Sequence, residues 1–534
     1  MPALDLLILN AQILDGTGTP ACFGWLGVHG GKIAAMGEGH PPGDLLAAER
    51  CDAQGLTLAP GFVDVHGHSE YHLLADPSGA SKVLQGVTTE VAGNCGYGAA
   101  PLLGREWEER RNDYSTHLGI DTPFRTVAEY GSHLESLRPA MNLALLVGHG
   151  SLRASVMGRD DRPPTHEELH TMERLLIEAL DQGAVGLSLG LIYAPGLYAH
   201  REELVALARC LRGRGVLTAH MRSESDALIE AIDEVIAVAA QAGCPLQISH
   251  LKTSRPHNWH KMATALERVE QARLQGVAVH IDRYPYTASN TTAMVMLPDW
   301  ANAGTKEEKL ARLRDASARN RMREELAPKG DDYWAAVVIA DLVTEQNRPF
   351  IGMRLPEAAA SRGQAPLDFL IDLLIEEGTF IAIFLFTMSE ENLRLVLQSP
   401  HAFVASDAAT RPIVPEGPLG RGRPHPRAFG TFPRVLGKLV REEQWFTLEE
   451  AVAKMSHRPA SAFGLHDRGR LAVGLRADLV LFDPDAVADR SDFSDPFQAP
   501  VGIEGVWIGG ERVAQEGRMT EARPGRFAQA IAWT

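Results

Sequence analysis

The stretch "LAPGFVDVHGH", residues 58–68, decides how this chain is read. An apolar run ends in two histidines, His66 and His68, separated by one glycine. Side chains two apart on a strand point to the same side, so both imidazoles are expected to face one place. Further along, seven more short apolar runs end or begin near polar residues: 88–95, 141–151, 184–191, 216–223, 245–252, 277–286 and 401–409. Most are nearly continuously apolar, as parallel strands buried on both faces are. Helical patterns lie between them. "THEELHTMERLLIEALDQG" carries a capping box in Thr165 and Glu168 and a stop at Gly183, and Ser389 is placed to cap "SEENLRLVLQ". Eight strand–helix repeats without a glycine-rich dinucleotide turn predict an α/β fold, a (β/α)8 TIM-like barrel, over residues 58–468.

Two regions fall outside this rhythm. Residues 1–57 and 469–534 are rich in short strands with Gly-Gly turns, and neither end alone can bury a core. They are expected to pair into a small β-sandwich beside the barrel. Residues 298–350, between strands seven and eight, contain one charged helix, "TKEEKLARLRDASARNRMREEL", and are too long for an ordinary connection. An insertion there sits on the face where barrels carry their chemistry, which predicts a lid; a solvated decoration is the plainer alternative.

Composition narrows the function classes. The 534 residues are 45% hydrophobic and 22% charged, and the net charge of −16 disfavours a nucleic-acid or anionic-membrane surface. No apolar run reaches membrane-spanning length, and the N-terminal residues lack the pattern of a secretory signal. Cysteines 22, 51, 95, 210 and 244 are scattered and odd in number, so the expected location is cytoplasmic and reducing.

In such a barrel the carboxyl ends of the strands converge, and their polar residues form a set. His66 and His68 follow strand one, Cys95 ends strand two among glycines, His220 is on strand five, His250 on strand six, and Asp407 ends strand eight. One histidine in a strand is more often a hydrogen-bonded core residue, and the chain has 20 of them. Six ligand-type side chains at the ends of five strands instead make a plausible zinc site. Cys95, which looks exposed in "AGNCGYG", then reads as a thiolate ligand rather than a nucleophile.

These residues resemble the amidohydrolase superfamily, and within it the D-aminoacylases (N-acyl-D-amino-acid deacylases). "GFVDVHGHSE", "QGVTTEVAGNCG", "GLIYAPG", "AHMRSES", "ISHLK", "YPYTAS", "FTMSEENL", "SDAA", "HPRAFGTFPRVLG" and "GRLAVGLRADLVLFDP" carry the resemblance over nearly the whole chain. It implies that Cys95 replaces the carboxylated lysine that bridges metals in other members. One zinc is expected at Cys95, His220 and His250, with room for a weaker second beside His66, His68 and Asp407. The reaction expected is hydrolysis of an N-acyl-D-amino acid, a small-molecule partner, with oligomeric state left open. Asp407 is the expected general base, and Tyr193 of "GLIYAPG" an expected donor to the carbonyl oxygen. The resemblance places Lys252, Tyr284 and Ser289 near the substrate carboxylate, with Arg427 of "HPR" a further candidate.

Arg283 departs from the pattern, standing where an uncharged residue, usually glutamine, is expected. An extra cation there would either favour an acidic substrate side chain or pair with a carboxylate of the barrel. The connection "ATRPIVPEGPLGRGRP", 409–424, is also longer and more basic than expected. The alternatives are a cyclic amide hydrolase of the dihydroorotase or hydantoinase kind and a non-catalytic scaffold on the same fold. Strand four, "AVGLSLGL", lacks the bridging lysine of the first, and no ligand is missing as the second would require.

Overall fold

The computed structural model describes residues 3–43 and 45–531. Its centre is an eight-stranded parallel sheet of Phe62–Asp64, Val87–Ala92, Asn142–Gly148, Gly186–Gly190, Val216–His220, Leu246–Ile248, Val279–Arg283 and Ala402–Val404, here the first to eighth barrel strands. Barrel strands that follow one another in sequence are neighbours in the sheet, and the eighth still pairs with the seventh although the long insertion lies between them. The eighth and first strands close the barrel at their carboxyl ends. Asp407 donates its amide to the His66 carbonyl at 2.8 Å, and His68 donates to Ala408 at 3.2 Å.

The barrel strands are short but buried throughout, apart from His280, which is half-buried. Their outward side chains pack against helices such as Leu228–Ala242, whose Ile232, Val235 and Ala239 are fully buried. The predicted caps form. Thr165 accepts from the Glu168 amide while the Glu168 carboxylate accepts from the Thr165 amide, and Ser389 accepts from Asn392. Such a cap stabilises its helix by about 1 kcal/mol.

Strands from both chain ends share one 9-stranded sheet, in which Ala47–Asp52 pairs with Leu4–Ile13 off the main path. Residues 58–60, expected to open the first barrel strand, belong to this end sheet instead. Thr57–Pro60 pairs with both Leu4–Ile13 and Leu479–Phe482. The apolar run is divided at Gly61, where a Cβ would meet the Thr88 side chain at 2.2 Å. The C-terminal stretch departs from the end sheet in the other direction. Gly525 and Ala528 donate to Pro139 and Leu143, and Ala528 packs with Val63, Val65 and Val91 inside the barrel.

The insertion has its own core and its own three-stranded sheet of Ser289–Thr292, Val337–Asp341 and Ala382–Leu385. Its sheet therefore reaches beyond the charged 298–350 stretch on both sides. The predicted single charged helix is two, Lys306–Arg314 and Ala316–Leu326. Asp315 breaks it because its carboxylate accepts from the Ala318 amide at 2.8 Å and caps the second. Among the described residues no helix is long and apolar enough to cross a membrane.

Candidate metal centre and substrate cavity

The six predicted ligands come together at the carboxyl ends of the strands. Cys95 Sγ lies 3.3 Å from His66 Nε2, 3.4 Å from His220 Nδ1 and 3.7 Å from His250 Nε2, and the two last nitrogens are 3.1 Å apart. Asp407 Oδ1 lies 3.5 Å from His66 Nε2 and 3.2 Å from His68 Nε2. Cys95 is buried rather than exposed, but it lines a cavity of about 570 Å³ together with His68, His220, His250 and Asp407. The two histidines of "HGH" lie past the end of the first strand, with ring centroids 5.4 Å apart.

Local chemistry explains the sequence around each ligand. Gly67 lies against the Glu90 carboxylate, which a Cβ would meet at 2.0 Å. Glu90 in turn accepts from the amide and hydroxyl of Ser69. Cys95, His250 and Asp407 all have positive φ, at 55°, 36° and 50°, a strained conformation of the kind that clusters at functional sites. The Cys95 turn is held from the fourth strand, where Ser188 donates to the Gly93 carbonyl at 2.5 Å and accepts from the Gly96 amide at 3.1 Å. The fourth strand thus supports the thiol instead of supplying a lysine.

The hydrogen-bond pattern fits a cation. His66 Nδ1 contacts Asp282 at 3.1 Å and His250 Nδ1 contacts Glu224 at 2.7 Å. A proton on His66 Nδ1, donated to Asp282, leaves its Nε2 with a lone pair aimed at the Cys95 sulfur. Without a cation the histidine nitrogens around the sulfur would meet it as protonated imidazoles. Burial would raise the Cys95 thiol, but the charge of His66 and His220 and hydrogen bonds from His220 and His250 would then hold it well below the usual thiol range, so the sulfur is a thiolate in either case. A thiolate faced by lone pairs is a soft donor set suited to zinc. Among the described residues, two overlapping groups could hold an ion: His66, Cys95, His250 and Asp407, and His220, Glu224 and His250.

Glu224 and Asp282 were not singled out from the sequence. Asp282 also accepts from Gln247 at 2.7 Å and from the His250 amide at 2.9 Å, so one carboxylate orients ligands from two strands. Glu224 binds both His250 and Lys252, whose ammonium also lies 2.8 Å from His250 Nδ1.

Asp407 is gripped from a third side by Arg427, whose Nη1 lies 2.8 Å from Oδ2. Burial would raise this carboxyl; Arg427, His250, His66 and His68 together hold it well below the ordinary range. Beneath it, the buried ammonium of Lys82 contacts Asp64 at 2.5 Å, Glu90 at 3.0 Å and Ser406 at 2.6 Å. That group ties the first, second and eighth strands together under the ligands.

Of the residues expected to meet substrate, Tyr193, Lys252, Ser289 and Arg427 line the cavity. The Tyr193 ring packs on His220 with centroids 5.0 Å apart. Two expectations are corrected. Arg283 is fully buried away from the cavity wall, donating to the Tyr286 carbonyl at 2.9 Å and contacting Met388 Sδ at 3.0 Å. It neither reaches the cavity nor pairs with a barrel carboxylate, because strand alternation turns it opposite to Asp282. Tyr284 is also absent from the wall. Its ring is stacked between two guanidinium groups, Arg283 at 4.2 Å and Arg427 at 4.4 Å.

A barrel with a Cys–His–Asp centre and a cation-lined cavity at its mouth defines a metal-dependent hydrolase of amide-like bonds, and comparison places the chain within that class. The model of the amidohydrolase family matches residues 49–514, and the chain belongs to that family, among its D-aminoacylases. It is 37% identical to an N-acyl-D-glutamate deacylase of Alcaligenes xylosoxydans xylosoxydans, over 98% of this chain and 96% of the relative. It is 34% identical to a D-aminoacylase of the same organism, over 98% of this chain and 97% of the relative. Among solved structures, the N-acyl-D-glutamate deacylase of Bordetella bronchiseptica, complexed with zinc and a phosphonate mimic of the tetrahedral intermediate, aligns with a TM-score of 0.83 at 36% identity. That alignment covers 99% of this chain and all of the other.

Proposed function

We propose that the protein is a zinc-dependent deacylase of N-acyl-D-amino acids, releasing a free D-amino acid and a carboxylate. The observation that carries this reading is the grip on Asp407 at the mouth of the eighth strand, between His66, His68 and Arg427. The full-length likeness to deacylases acting on linear amides supports it over the cyclic amide hydrolase, and the intact ligand set tells against a scaffold.

Zinc, held by Cys95, His220 and His250 with room for a weaker second ion beside His66, His68 and Asp407, would supply Lewis-acid activation of water and of the amide carbonyl. The chain's own groups do the rest. Asp407 is ionised and accepts the proton of the attacking water, then returns it to the leaving nitrogen. His68 and Arg427 fix its two oxygens, so that transfer occurs from one orientation. Burial, reinforced by the charge of Cys95, pushes the Tyr193 phenol well above its ordinary range. It therefore stays protonated and can donate to the oxygen that gains charge in the transition state.

Lys252 and Arg427 are the wall cations nearest the metal ligands, and they receive the substrate carboxylate. Ser289 adds a hydroxyl from the insertion, which also brings Thr291, Val295 and Leu385 to the wall and acts as a lid over the cavity. Five free cysteines, one of them a ligand, suit a reducing cytoplasm.

The test is a panel of N-acetyl and N-formyl D- and L-amino acids, scored for amine release with zinc supplied. Release from D-substrates, absent from L-substrates and from hydantoins, is the expected result. Preferential opening of cyclic amides would overturn the reading.

A further inference from the structure

Arg222 lies two residues past His220, in the "AHMRSES" segment that also supplies Glu224. Its own contacts run to another part of the protein. Nε lies 3.0 and 2.9 Å from the two oxygens of Glu234, on the helix Leu228–Ala242. Nη1 donates to the Leu197 carbonyl at 2.6 Å, and Nη2 donates to the Ala199 carbonyl. Both carbonyls belong to the connection after the fourth strand, "LIYAPGLYAH", residues 191–200, which carries Tyr193.

That connection has little regular structure of its own, a single 3₁₀ turn at Gly196–Tyr198. Its backbone is tied at the base, where Leu191 donates to His220 at 2.9 Å and Tyr193 to Gly190 at 3.2 Å. Leu197 then donates to the Tyr193 carbonyl at 2.8 Å, so whatever fixes Leu197 also fixes the backbone of Tyr193. A planar guanidinium can satisfy one carboxylate and two carbonyls at once in fixed directions, whereas an ammonium is a compact point donor on a flexible stem.

We propose that Arg222 is a positioning residue for Tyr193. Its three-way bonding to Glu234, Leu197 and Ala199 holds the connection so that the phenol stands over the substrate carbonyl. The inference rests on the reading of Tyr193 as donor to that carbonyl oxygen, and the test separates the two.

Four proteins decide it: wild type, Arg222→Lys, Tyr193→Phe and the double variant. Arg222→Lys keeps charge and bulk, which favours folding; zinc content and Tm serve as controls. Turnover of Arg222→Lys should fall about tenfold or more, with a much smaller change in KM, as expected when a transition-state donor is misplaced. The double variant should be no slower than Tyr193→Phe alone, because a misplaced hydroxyl matters only where a hydroxyl exists. Independently of activity, backbone amide exchange in the peptide 191–200 should quicken in Arg222→Lys with either residue at 193. Multiplying losses in the double variant, or unchanged exchange, would overturn the role of Arg222 while leaving Tyr193 as donor. Wild-type turnover in Tyr193→Phe would overturn the reading of Tyr193 and this inference with it.

Discussion

Arg427 and Asp407 form the pair on which the chemistry turns, with a guanidinium nitrogen 2.8 Å from one carboxylate oxygen while His68 holds the other oxygen at 3.2 Å. The arginine is itself braced by the Tyr284 ring 4.4 Å away, and that ring is backed by Arg283. The base is thus fixed by a stack that begins outside the cavity and ends at its floor.

Asp407→Asn preserves the shape of this arrangement but removes the proton acceptor. Turnover should fall by about 10²–10⁴, the range ascribed to positioned acid–base groups. Zinc should remain, since Cys95, His220 and His250 are untouched. Steady-state kinetics with metal analysis checks both halves; near-wild-type turnover would place the base elsewhere.

Arg283→Gln tests the corrected position of that arginine. Because the side chain is buried behind Tyr284, the ratio of activity on N-acyl-D-Glu to that on N-acyl-D-Leu should not change. Stability should fall by about 1–3 kcal/mol, as when a buried hydrogen bond to a charged group is lost. Urea unfolding and paired substrate assays measure the two effects. A shift in the acidic-to-apolar ratio would return Arg283 to the cavity.

Lys82→Met removes the cation of a fully buried group and leaves Asp64 and Glu90 facing each other. Breaking a buried pair in this way costs about 3–5 kcal/mol. The loss should appear in urea unfolding. Lys82→Met combined with Asp64→Asn and Glu90→Gln should recover part of it, whereas a single-variant loss below about 1 kcal/mol, the range of exposed pairs, would show that the group is hydrated.

The barrel was legible because parallel strands buried on both faces leave continuous apolar runs, and its metal ligands because they end those runs. Asp282 and Glu224 were not, although each holds ligands in place. Asp282 sits inside "VAVHIDRYPY", where a carboxylate carries no local mark of its partners. Alternation along that strand was the available signal: if Asp282 faces the centre, Arg283 faces away. Glu224 and Arg222 lie beyond the end of the fifth strand, where no periodicity predicts direction. The division of the first apolar run at Gly61 was hidden for a related reason, since both halves are strands and only their partners differ.

Cys95 is the residue on which the account depends most. It is the sulfur toward which His66, His220 and His250 all converge. The most direct measurement is elemental zinc in purified wild type and Cys95→Ala, each dialysed against buffer without metal. About one zinc per chain in wild type and loss of it in the variant is the predicted result. Full zinc occupancy in folded Cys95→Ala would contradict it.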